Sequence, residues 1–123
     1  SGIYASNADA QGKNKPVPSP VGTVNFDYTS TAFEFDGVAT LSTVKCNVQI
    51  KGAGEIEGTE FSYKIGGYMV PNGDGTYSGP VTVEIKNGLI CLEKATGTAT
   101  WTKDETEISL VINSVINPVC PKR

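Results

Sequence analysis

Read as a pattern of apolar and polar positions, the chain from Val24 onward alternates with a period of two and breaks at turn residues, the signature of half-buried strands. Val24, Phe26 and Tyr28 share one face. Phe33 and Phe35 alternate with Glu34 and Asp36, and Gly37 offers a bulge or bend before Val38-Ala39-Thr40-Leu41. Val44, Cys46, Val48 and Ile50 oppose Lys45, Asn47, Gln49 and Lys51, which places Cys46 on the core face, and Gly52-Ala53-Gly54 ends that run. Phe61, Tyr63 and Ile65 share a face within a bent strand or strand pair. Pro71-Asn72-Gly73-Asp74-Gly75 makes the sharpest loop.

Val81, Val83 and Ile85 alternate up to Asn87-Gly88, a hairpin signal that suits a type I′ turn. A turn there pairs Ile85 with Ile90 and Val83 with Leu92. A Thr-rich strand then reaches Trp101, turns at Lys103-Asp104-Glu105, and returns with Ile108, Leu110 and Ile112 on one face. Seven to nine strands with helix-free connections predict an all-β fold: an antiparallel β-sandwich, immunoglobulin-like or jelly-roll-like, or a small barrel.

Residues 1–22 differ. They offer only Ile3 and Tyr4 as large anchors, and Pro16, Pro18 and Pro20 favour extended polyproline geometry. The expected organisation is therefore an extended leader over 1–22 and one all-β domain over 23–123. A polar tail without a core orders only against something else, such as its own domain or the next subunit, so Ile3, Tyr4, Pro16, Pro18 and Pro20 are candidates for an assembly arm.

Composition agrees with strands. The chain of 123 residues has 12 Val, 9 Ile and 13 Thr against 4 Leu and 1 Met, with 14 Gly and 7 Pro. Its apolar runs are too short for a membrane-spanning helix. A net charge of −3 without a basic stripe argues against nucleic acid and anionic membrane partners. The absence of histidine removes Ser-His-Asp and Cys-His catalysis and every His-ligated metal site.

Three cysteines remain. Folding the last hairpin brings Cys120 near the position opposite Cys91, and Cys46–Cys91 across the sheets is the rival pairing. Such staples suit an oxidising compartment. No zinc or cofactor motif is present, no thiolate-activating setting accompanies the cysteines, and Asn72-Gly73-Asp74-Gly75 lacks the full ligand set of a calcium loop. Glu34, Asp36, Asn47, Glu84 and Glu107 fall at polar strand positions and fit a solvated face rather than a catalytic pair.

The run Phe35-Asp36-Gly37, Val44-Lys45-Cys46-Asn47, Phe61, Cys91, Trp101, Thr106, Ile108, Val115 and Cys120 resembles the small secreted bacterial alkane-oxidation-activator proteins, the PraA/PraB-like group, over residues 33–120. Thr100 stands before Trp101 where that group has Pro. The resemblance implies secretion and a place at the cell surface or in a biofilm matrix, without catalytic residues. Two functions follow as expectations. One is a secreted, non-enzymatic structural or adhesive protein, the subunit of an extracellular filament built by strand or arm exchange. The other is a monomeric extracellular domain that binds a carbohydrate or small molecule.

Overall fold

Residues 19–116 are described by a computed structural model. They form one antiparallel sheet of seven strands, and no helix occurs among them. The strands are β1 (Ser19–Thr29), β2 (Glu34–Val44), β3 (Asn47–Glu55), β4 (Ser62–Pro71), β5 (Thr76–Asn87), β6 (Ile90–Thr102) and β7 (Ser109–Ile116). They follow one another across the sheet in chain order, so the crossovers of a jelly-roll or an immunoglobulin-like arrangement are missing. With an odd number of strands, β1 and β7 run the same way. The segment before β7 meets β1 through a parallel bridge between Asn25 and Glu107, so the sheet curls until its ends touch.

One face of the curl is the core. Val24, Phe26 and Tyr28 of β1, Val48 and Ile50 of β3, Tyr63 and Ile65 of β4, and Val81, Val83 and Ile85 of β5 are buried, as their alternation predicts, and Ala39 and Leu41 of β2 and Met69 of β4 join them. Trp101 is buried too, its ring 5.5 Å from Tyr77 and its indole N–H donating to Glu105 O at 2.9 Å. Ile108 sits in the core, and Leu110 and Ile112 pack against it.

Several expectations are corrected. No bulge occurs at Gly37, which pairs directly with Phe26, and Gly52-Ala53-Gly54 lies inside β3 rather than ending it. These glycines make room for an aromatic cluster. Tyr63 lies against Gly54 and reaches β2, where its hydroxyl donates to Val38 O at 3.1 Å and accepts from Val38 N–H at 3.2 Å. Phe26 meets Tyr63 edge to face at 5.5 Å.

Cys46 is not on the core face. Val44 pairs with Asn47, so Lys45 and Cys46 form a two-residue hairpin turn, with Lys45 at φ 60. Positive φ at the first central residue fits a type II′ turn. The Asn87-Gly88 hairpin also shifts by one residue. Asn87 pairs with Ile90, Gly88 takes the positive φ (64) as first central residue, and a bulge then sets Ile85 opposite Glu93. Ile85–Ile90 and Val83–Leu92 therefore do not pair, and Glu93 rather than Leu92 enters the core.

The leader boundary moves as well. Ser19 and Pro20 already pair with β2, and the register slips between Pro20 and Gly22, an edge-strand bulge of the kind that tolerates proline. Ile3, Tyr4, Pro16 and Pro18 lie outside the described residues.

Candidate functional site

The seam where the sheet meets itself is thinly bonded. Asn25 N–H donates to Thr106 O at 2.8 Å and Ile108 N–H donates to Asn25 O at 3.0 Å. Apart from that bridge, β1 pairs only with β2 and β7 only with β6 among the described residues. Strand edges carry rows of N–H and C=O groups that can accept a further strand. Val111 and Ile116 of β7 and Val21 of β1 are exposed.

The outer face of β3–β6 carries a groove of about 840 Å³. Lys51, Lys64 and Lys94 line it with Glu84 as the one acid, Tyr68 stands at one side, and Gly66 leaves its floor bare. Lys64 lies opposite Glu84, and Glu84 opposite Lys94, in one cross-strand row. A second hollow of about 440 Å³ lies on β1–β2 and gathers Asp27, Asp36 and Glu107. Asp27 and Asp36 are direct cross-strand partners.

The predicted solvated face is largely as expected. Glu34, Asp36 and Glu107 are exposed, while Asn47 and Glu84 are half-buried. The exception is Glu93, buried completely in the core, where it accepts a hydrogen bond from the Tyr28 hydroxyl. Burial first, and then the Glu93 carboxylate, push the Tyr28 phenol well above its ordinary pKa. Asp74 serves its own turn: it accepts from the Thr76 hydroxyl at 2.6 Å and from Thr76 N–H at 3.1 Å, and the hydroxyl contact leads in lowering its pKa.

Cys46 is exposed and free, so the rival pairing Cys46–Cys91 is not formed. Cys91 is half-buried on β6 beside Glu84, and Cys120 lies outside the described residues. Among the described residues no group of three or more Cys, Asp or Glu is arranged to hold a metal ion, and no helix is long and apolar enough to cross a membrane. No family model, curated protein or solved structure matches this chain.

Proposed function

We propose that the protein is a secreted, non-enzymatic structural or adhesive subunit that assembles with copies of itself into an extracellular filament at the bacterial surface or in a biofilm matrix. The observation that carries this reading is the seam: two strand edges of one sheet held together by a single bridge. In this reading the sheet is a meander barrel with a weak closure, and the seam accepts an extended segment from the next copy. Backbone hydrogen bonds supply the affinity and alternate side chains the register. Residues 1–18 are the arm, with Ile3 and Tyr4 as anchors and Pro16 and Pro18 as spacer. The resemblance to the PraA/PraB-like group points the same way.

A Cys91–Cys120 disulfide belongs to this proposal. The β6–β7 ladder pairs Lys94 with Ile116, three positions after Cys91 and four before Cys120. Mass spectrometry without reductant tests it, and three free thiols would overturn it.

The test of assembly compares the full chain with one starting at Ser19, because β1 begins there. Filaments or ladders in electron microscopy that vanish on truncation, with thermal stability lowered by about 1 kcal/mol or less, support the reading. A monodisperse full-length monomer overturns it. A second reading, a monomeric carbohydrate-binding domain, draws on the outer groove, where Tyr68 is 46 % exposed beside a bare glycine floor. Binding of neutral oligosaccharides to a monomer, lost in Tyr68→Ala, would favour it.

A further inference from the structure

Resting on the assembly reading, we propose that successive copies dock head to tail through charge, the acidic hollow on β1–β2 of one copy facing the lysine-lined groove on β3–β6 of the next. The charge distribution carries the inference. Residues 19–116 hold twelve carboxylates and six lysines, yet three of those lysines face one groove with a single acid among them. On the hollow, Asp27 and Asp36 stand directly opposite each other and Glu107 lies beside them through the Asn25 bridge. Like charges opposite one another on a sheet are destabilising, so the isolated domain gains nothing from this row. Cationic side chains brought from outside relieve it.

The groove provides them in a suitable form. Lys64 and Lys94 flank Glu84 across the strands, leaving a net charge of about +2 with Lys51. The missing side chain at Gly66 keeps the floor low between Lys51 and Thr82, its neighbours on either strand. The long lysine stems bridge outward while their heads stay polar. Groove and hollow are different patches on one chain, so the contact is heterologous, the type that builds an open filament when its rotation does not close a ring. A second copy is favoured over an acidic polymer because the complementary patch is already on the molecule.

The test uses the full chain in three forms: unaltered, groove-reversed (Lys51→Glu with Lys64→Glu) and hollow-reversed (Asp27→Lys with Asp36→Lys). All four positions are exposed, and thermal melting checks that each variant folds. Sedimentation and electron microscopy should show unaltered chains that shorten as NaCl rises from about 0.02 to about 0.5 M. Each variant alone should associate at least about tenfold more weakly. Mixed in equal amounts, the variants should recover filaments of alternating copies, since the intact hollow of one meets the intact groove of the other and the two reversed patches are again opposite in charge.

Filaments unchanged by groove reversal but lost on removal of residues 1–18 would overturn charge docking and leave arm exchange standing. An unaltered chain that stays monomeric would sink both. A monomer that binds polyuronate through Lys51 and Lys64 would show that the groove serves an acidic polymer, which also overturns the proposal.

Discussion

The β5–β6 wall and the β1–β7 seam are built from the same alternating strand sequences, yet one is continuous and the other hangs on a bridge. From Thr76–Thr102 to Asn87–Ile90, β5 and β6 stay paired through a single bulge. At the seam, among the described residues, only Asn25 joins the two edges. Both regions contribute apolar side chains to the interior, so apolar burial does not separate them. Backbone pairing does, together with the close approach of β4 and β7 to the wall. At Gly79 an added Cβ would fall 1.9 Å from Tyr68 O, and at Gly97 it would fall 2.1 Å from Val111 O. The neighbouring strands β4 and β7 thus press against the two sides of the wall where side chains would otherwise stand. Among the described residues the seam shows no such close approach of backbones.

The sharpest way to break this comparison is Gly79→Ala. The new methyl meets a carbonyl oxygen and the Met69 Cα, both backbone, so relief requires moving β4. Overpacking of this kind should cost about 3 kcal/mol or more in chemical denaturation. A loss below about 1 kcal/mol would show that the wall is as pliable as the seam.

Tyr28→Phe tests the interior between them. It removes the hydroxyl that Glu93 accepts from, inside the core, and should cost about 1–3 kcal/mol. The pH dependence has a definite sign. A phenol whose folded pKa is raised binds its proton more tightly in the folded state, so its contribution is present below the unfolded value near 10 and fades as pH rises above it. Stability of the unaltered protein should therefore fall above pH ~10 more steeply than that of Tyr28→Phe. Parallel alkaline slopes would contradict the assignment.

Asn25→Pro probes the seam itself. It deletes the N–H that donates to Thr106 O while leaving the edge of β1 that faces β2 to its remaining bonds. A loss of about 1 kcal/mol, with faster hydrogen exchange at Ile108, is expected. A loss comparable to Gly79→Ala would mean that the seam is a structural closure rather than a site of exchange.

How far the chain revealed this depends on parity. In β5 the inward set is odd (Val81, Val83, Ile85), and in β6 it is odd again (Ala95, Ala99, Trp101), with Thr96, Thr98 and Thr100 turned outward. A two-residue turn across Asn87–Ile90 reverses parity, so one extra residue must be absorbed, and Leu92 is absorbed by the bulge. The outward threonines were a readable signal that Glu93 points inward; the hydrophobicity of Ile90 and Leu92 obscured it. The same arithmetic applies at Cys46. Ala39 and Leu41 face inward at odd numbers, Val48 and Ile50 at even ones, and the switch marks the turn. The groove and the hollow were less legible, because each gathers residues from strands far apart in sequence. Only the register sets Lys51 near Lys94, or Glu107 beside Asp27.

The smallest expected effect lies at that turn and sharpens the comparison from the side of the tips. Cys46 is exposed, unpaired and second of two central turn residues, so its sulfur contributes no packing. Cys46→Ser preserves size and polar reach and should change stability by no more than about 0.5 kcal/mol, as surface substitutions do. Among the described residues it also removes the one thiol that is free and exposed. If copies meet through strand edges and charged faces, filament length should be unaffected in non-reducing conditions, and only adventitious cross-linked species should vanish from a gel. Filaments that disappear with Cys46→Ser would place the joint at the β2–β3 tip instead of at the seam, because a disulfide there would be holding the copies together.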